Sequence, residues 1–523
     1  MRKEPKPGMT RITTLLLIGF MTIAPLRRAH AGHVTGTIVA PASITDQVGT
    51  HSGSVGALAV KDQTGTQNDP TKYVQFGTPP GSLYQGYLTF TLPTSVTPSQ
   101  ITTLTFIANV FGPSAGVDAF TWSIFNWTTN SYEILGNQND CGGTGGLHPC
   151  SNTPSTTTDS DSFAKWKWIQ YMALGRPLTQ YVNSAGRIQV QLVSQNNTGY
   201  LNVDYAIMDV FTNDGVPGTL WIPPQNYRWQ YQIQVNSTDA ANYSSTDGIN
   251  VNICVTSFLG GACVTPNVID MDFNVDNIIT NPSSGSEFII SDLYTPAVRA
   301  LAALHNRGAH AIAYGTVGDA EVWRADYQQM VDFDNACSGC FIGSVFSHTF
   351  SNEMYVNINN DKGQADFMRK IYRGRMDRAA AAGFESFEPD VMVGAGNKTG
   401  FTISCATQLA YNLNVAADAH VDNMSVAAKD LGYACSDATY ELNNQQVVNA
   451  FDYVIDEQCW QYGFCQDYNN GTYNFYGAGK AIFNVEYPLS TSKFCPQANA
   501  DNFNSIKKAK DQSVFDLPYT PCR

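Results

Sequence analysis

The chain has 523 residues, 12% of them aromatic and only 14% charged, which excludes a disordered polymer and gives room for about two folded domains. Its net charge is −14 and its Lys and Arg residues are scattered rather than striped, which argues against nucleic acid as a partner. An acidic surface of this kind keeps a protein soluble and also attracts cationic ligands.

The first 31 residues read as an export signal. Arg2, Lys3, Lys6 and Arg11 precede the apolar run ITTLLLIGFMTIAP, and Ala29-His30-Ala31 supplies a small-residue cleavage site. The run is short for a membrane span, so the mature protein is expected to be extracellular and free of the membrane. The 12 cysteines fit an oxidising compartment. Paired by proximity they give Cys141/Cys150, Cys254/Cys263, Cys337/Cys340, Cys405/Cys435, Cys459/Cys465 and Cys495/Cys522. Cys337-Ser-Gly-Cys340 also fits a redox motif or half a zinc site, but no second such pair completes one, and no metal or cofactor is expected. Sequons at Asn126, Asn196, Asn236, Asn242, Asn397, Asn423 and Asn470 are expected to carry glycans in a eukaryotic host.

Residues 34–215 read as all-β. YLTFTL (87–92), TLTFIANVF (103–111), FTWSIFNW (120–127), RIQVQLVS (187–194) and LNVDYAIMDVF (201–211) alternate apolar and polar positions between Gly/Ser/Thr/Asn-rich turns. This pattern predicts a β-sandwich or jelly roll. The tract 141–162 reads as a long polar loop. The module looks at most like a carbohydrate-binding domain: Trp122, Trp127, Trp166 and Trp168 offer rings for sugars, although Trp122, inside an alternating strand, reads as core.

From about residue 216 short apolar strands alternate with helices. The strands are 227–233, 267–273, 309–315, 354–358, 384–389, 424–429, 451–457 and 480–487. Helical runs lie at 295–308, 366–383 and 404–420, the first two ending at Gly308 and Gly383. Eight strands with intervening helices predict a (β/α)8 barrel over residues 220–523. A doubly wound open sheet is the alternative, without a Gly-rich phosphate loop to support it.

In such a barrel reactive groups gather at the C-terminal strand ends. Asp270 and Asp272 end the second strand two residues apart, hence on one face. Glu388 and Asp390 end the fifth strand in the same way, with Glu385 facing the opposite side. Lys429 ends the sixth strand, Glu457 the seventh, and Glu486 lies near the end of the eighth. A ring of carboxylates without a His cluster argues against a transition metal and leaves a calcium or magnesium site as an alternative. Paired carboxylates are what glycoside cleavage needs, one protonated and one ionised, and like charges in contact push their pKa values apart. No G-x-S-x-G elbow, H-E-x-x-H or P-loop occurs.

Ordered motifs over residues 220–522 add a resemblance. WQYQI (229–233), DMD (270–272), YGTVGDAEVWR (314–324), GFESFEPDV (383–391), TGF (399–401), Gln408 with Tyr411-Asn412, FDYVIDEQCW (451–460) and GKAIFNVEY (479–487) resemble glycoside hydrolase family 114, the endo-α-1,4-polygalactosaminidases and their spherulin 4 relatives. The resemblance implies a (β/α)8 fold and a partly deacetylated, cationic α-1,4-galactosamine polymer as substrate. It places the catalytic carboxylates on Asp390 and Glu457, and the lining residues on Asp270, Asp272, Tyr314, Glu388, Lys429 and Glu486. The chain departs from the family pattern at Asn357, Val391, Thr407, Asp430 and Asp456. A secreted endo-acting glycosidase with an accessory β-domain is the leading expectation, and a non-catalytic glycan-binding or coat protein on the same fold is the alternative.

Overall fold

The structure is a computed structural model. It describes residues 32–60, 69–111, 120–138, 167–195, 199–216, 218–233, 249–273, 278–281, 285–288, 295–322, 324, 326–347, 350–431, 444–470, 472, 474–512, 514 and 516–523. The export signal, the 141–162 tract, Cys141, Cys150 and Cys435, Trp166 and the Trp168 side chain, and the sequons at Asn196, Asn236 and Asn242 lie outside these.

The first part is two antiparallel sheets. One has six strands, in the order 50–52, 74–77, 200–213, 101–111, 167–172, with 34–39 also on 200–213. The other has five, in the order 41–48, 85–91, 187–194, 120–126, 131–138. Alternating apolar residues of both sheets meet in one core, in which Phe106 of the first packs on Trp122 of the second with ring centroids 4.8 Å apart. Trp122 is fully buried, as its alternating strand predicts. Asn126 is buried too. Its Nδ2 donates to Glu133 Oε1 (2.6 Å) and Gln180 Oε1 (2.9 Å), so this sequon has no amide to offer a glycan.

The second part is built on eight parallel strands in sequential order: β1 (Trp229–Tyr231), β2 (Val268–Asp272), β3 (His310–Thr316), β4 (Ser386–Asp390), β5 (Ser425–Lys429), β6 (Tyr453–Glu457), β7 (Ile482–Glu486) and β8 (Asn504–Lys507). Thr520–Pro521 adds an antiparallel pair to β8. A helix lies in each connection from β2 onward. Helix 364–382 ends at Gly383, whose φ of 108° a side chain would strain, and helix 405–421 starts from Ser404, whose hydroxyl accepts Thr407 N–H.

Strand alternation splits the sheet into two faces. Ile269, Met271, Phe387, Val426 and Val454 pack with Leu304, Met368, Ile371 and Val415 of the helices. Trp229, Val268, Ile312, Ala427, Tyr453, Phe483 and Ile506 pack with one another on the other face. β1 and β8 meet through side chains: Trp229 Nε1 donates to Asn504 O (2.7 Å), and Tyr519 beyond β8 donates to Trp229 O (2.9 Å). The two parts of the chain are joined by buried polar bonds, among them Thr103 Oγ1 to Asp377 Oδ2 (2.5 Å) and Gln329 to both the N–H and the carbonyl of Met172 (2.8 Å each).

Two strand assignments change. The segment expected as the fourth parallel strand, 354–358, contributes Glu353–Val356 to a separate antiparallel sheet with Asp319–Glu321 and Ile342–Val345, and β3 pairs directly with β4. Its apolar pattern marks a strand but not which sheet takes it. The missing parallel strand is β8, whose NSIK carries a single apolar residue and gives no periodic signal. Disulfides Cys254–Cys263, Cys337–Cys340, Cys459–Cys465 and Cys495–Cys522 match the proximity pairing. Cys405 is also disulfide-bonded.

Candidate active site

Period-2 alternation sends Glu388 and Asp390 of β4, Lys429 of β5 and Glu457 of β6 to the enclosed face, and three of the four are the last residues of their strands. Each terminal residue is followed by one in the left-handed region: Val391 (φ 59°), Asp430 (φ 51°) and Gln458 (φ 64°). The chain therefore breaks away sharply just after each reactive side chain, a strained geometry of the kind functional sites retain.

Lys429 is the hub. Its Nζ lies 2.9 Å from Glu457 Oε1, 3.4 Å from Asp390 Oδ1 and 4.0 Å from Glu388 Oε1, and it also bonds Asp430 Oδ2. Burial alone would drive off its proton, but the charges of Asp390, Asp430, Glu457 and Glu388 hold it well above the ordinary lysine value. Asp390 Oδ2 accepts Tyr314 OH (2.7 Å), and its Oδ1 accepts Val391 N–H (2.8 Å). Glu457 accepts Tyr487 OH on Oε2 and Tyr231 OH on Oε1 (3.4 Å), while its N–H donates to Asp430 Oδ1 (2.8 Å). Both carboxylates remain about a quarter exposed, at 22% and 27%, so a ligand can reach them.

Beneath them Asp270 and Glu388 are fully buried. Burial pushes both carboxyls well above the usual range, and the charge of Asp270 adds to the effect on Glu388. Two further acids approach from the antiparallel sheet beside Asp390. Asp319 is buried, and burial followed by the charge of Asp319 pushes Glu353 up to about 9.

Asp270, Tyr314, Glu388, Asp390, Lys429 and Glu457 are thus brought together. Asp272 shares their face, but Arg324 clamps it through two 2.9 Å bonds. Glu486 points the other way. Its neighbours Val485 and Tyr487 occupy the enclosed face, while its own Oε1 accepts Trp460 N–H (2.8 Å) on the helix side, and burial raises it to about 7. Glu385 also turns away, as its parity predicts, and accepts from His305, His310 and Ala311 N–H. Burial would raise it, but those bonds bring it down to about 2. Tyr231, Tyr487 and Asp430 also touch the central groups; the sequence marks Asp430 only as a departure from the family pattern and assigns none of the three to the site. The alternation that places Phe483 inward would have chosen Tyr487 over Glu486.

Among the described residues one cluster has metal-ligand spacing, Cys459, Cys465 and Glu486, but its two cysteines are bonded to each other and offer no thiolate. No helix among the described residues is long and apolar enough to cross a membrane.

Residues 271–522 match the model of glycoside-hydrolase family GH114, and residues 58–144 match the N-terminal glycosyl-hydrolase-114-associated domain. Among solved structures, Aspergillus fumigatus Ega3 in complex with galactosamine is 22% identical, covering 57% of this chain and 97% of its own, with a TM-score of 0.41. The glycoside hydrolase domain of PelA from Pseudomonas aeruginosa is 9% identical, covering 57% of this chain and 98% of its own, with a TM-score of 0.33. No curated protein matches the chain. Residues 271–522 are thus a glycosidase domain that matches family GH114, and they follow a part that matches the N-terminal domain associated with that family.

Proposed function

We propose that this protein is a secreted endo-glycosidase that cuts α-1,4-linked, galactosamine-rich polysaccharide with Asp390 and Glu457. The observation that carries the reading is the pair of partly exposed carboxylates at the ends of β4 and β6, gripped by one buried ammonium at the end of β5 between them. The parallel sheet is taken as a (β/α)8 barrel, in keeping with its sequential strand order and with the β1–β8 side-chain contacts. One carboxyl protonates the departing glycosidic oxygen while the other attacks the anomeric carbon, and water then releases the sugar. Retention of configuration is favoured by the geometry. Asp390 Oδ1 and Glu457 Oε1 can be no farther apart than their distances to Lys429 laid end to end, 3.4 and 2.9 Å. So close an approach is in keeping with the carboxyl spacing of about 5–5.5 Å in retaining enzymes.

The substrate class follows from the family motifs and from the surplus of carboxylates. Asp390, Asp430 and Glu457 stand around the ammonium of Lys429, a surplus of carboxylate over cation that favours a cationic sugar. Tyr314 is assigned a supporting place on Asp390 and Asp272 one beside it in the grip of Arg324, while Glu486, on the helix side, is assigned none. The N-terminal signal and the disulfides support export.

The test is a reducing-end assay on partly deacetylated α-1,4-galactosaminan. Asp390→Asn and Glu457→Gln are expected to abolish cleavage with unchanged circular dichroism. Azide should rescue the nucleophile variant and yield a glycosyl azide. Full activity in both variants would remove the assignment.

A further inference from the structure

The five-stranded sheet of the N-terminal sandwich has one face in the core and one facing outward. On the outward face Tyr87 lies opposite Gln191, Gln191 opposite Ser123, and Ser123 opposite Ile134, so one row crosses four strands. Beside this row the Phe125 and Tyr132 rings meet edge to face at 4.9 Å. On its other side Gln47 Oε1 accepts from both Gln85 Nε2 (2.9 Å) and Gln191 Nε2 (3.2 Å). Gln191 forms the floor at 6% exposure, while Ile134 stands up at 67%. Among the described residues the strands present no charged side chain on this face except Arg187 at its rim, in a chain of net charge −14.

We propose that this face binds a neutral polysaccharide strand. Aromatic rings stack on the C–H faces of pyranoses, and glutamine amides, each both donor and acceptor, match vicinal hydroxyls. The lack of charge sets it apart from the carboxylate-lined site of the second domain. A cationic polymer gains nothing here, whereas a neutral glycan loses no ion pair on binding. The rings differ from those the sequence singled out: Trp122 is core, and Trp127 donates its indole N–H to Tyr181 O. The face therefore supplies a grip on uncharged stretches of polymer, independent of the cleavage chemistry.

The experiment uses the full-length chain carrying Glu457→Gln, so that no ligand is consumed. Affinity electrophoresis and titration calorimetry are run with N-acetylated galactosaminan, its fully deacetylated form, and neutral galactan, glucan and xylan. At least one neutral polysaccharide is expected to bind, and Ile134→Asp is expected to weaken that binding at least tenfold. In the otherwise wild-type chain, Ile134→Asp should leave turnover of a short soluble substrate unchanged. Tyr132→Ala, at a half-buried ring, should repeat the loss. The proposal is overturned if no neutral polysaccharide binds, if Ile134→Asp binds as tightly as its parent, or if Ile134→Asp instead abolishes a dimer seen by sedimentation. Because the probe is binding and not cleavage, failure here leaves the glycosidase reading intact, and failure of cleavage leaves this one.

Discussion

Lys429 Nζ sits 2.9 Å from Glu457 Oε1, and the same ammonium reaches Asp390 across 3.4 Å. It is the only group joining the two carboxylates by direct ion pairs among the described residues, and its side chain is 1% exposed. Without it, the two carboxyls would face each other in a poorly solvated site with no cation between them. Lys429→Met is therefore expected to lower kcat by about a hundredfold or more, a loss on the scale of removing one preorganised electrostatic contact. Turnover of the two proteins, with circular dichroism to check folding, decides it. An unchanged kcat would place Lys429 outside the electrostatics of the pair.

Glu486 and Tyr487 are neighbours with opposite expectations. Tyr487 donates to Glu457, while Glu486 faces the helices. A hydrogen bond to a charged group contributes about 1.5–3 kcal/mol, so Tyr487→Phe should slow turnover by roughly tenfold or more. Glu486→Gln should leave kcat within about twofold. The reverse ranking in the reducing-end assay would invert the reading of strand β7.

Glu486 should instead govern stability against pH. Burial raises its carboxyl from 4.5 to about 7 in the folded chain. The folded state then keeps a proton that the unfolded state has lost, so stability falls as pH rises through this window. The contribution is whole below pH 4.5 and gone above about 7. Melting temperatures of wild type and Glu486→Gln across pH 4–8 should converge at the acid end and separate toward neutrality, with the glutamine variant the less sensitive. Parallel curves would show that folding leaves the titration of Glu486 unchanged.

The sandwich and seven of the eight parallel strands were legible because their apolar residues recur with period 2 between turn-forming residues. β8 was not, since a four-residue strand with one apolar position leaves no period to detect. The strand-end acids were visible one by one, and parity correctly turned Glu385 away from Glu388 and Asp390. On β7 proximity to the strand end points to Glu486, against the alternation that runs from Phe483 through Val485 to Tyr487. Nor could spacing reveal that Arg324 would neutralise Asp272, because that contact crosses 52 residues and depends on where a loop outside the parallel sheet returns.

Val391 is where the backbone and the residue type disagree. Asparagine accepts left-handed backbone readily, whereas a β-branched side chain at φ 59° is strained. The conformation is needed because Val391 N–H must turn back to Asp390 Oδ1, and because its carbonyl lies so close to Gly318 that a Cβ there would sit 1.9 Å from the oxygen. Left-handed backbone costs an ordinary residue about 1–2 kcal/mol, and asparagine recovers part of that. Val391 is also 5% exposed, so the exchange gives up some apolar burial. Val391→Asn is expected to stabilise the fold by a net amount of about 0.5–1 kcal/mol, with the Asp390 contact and kcat kept. Urea unfolding of the two proteins checks the sign. A lower midpoint for the asparagine variant would mean that the buried valine side chain outweighs the strain of its backbone.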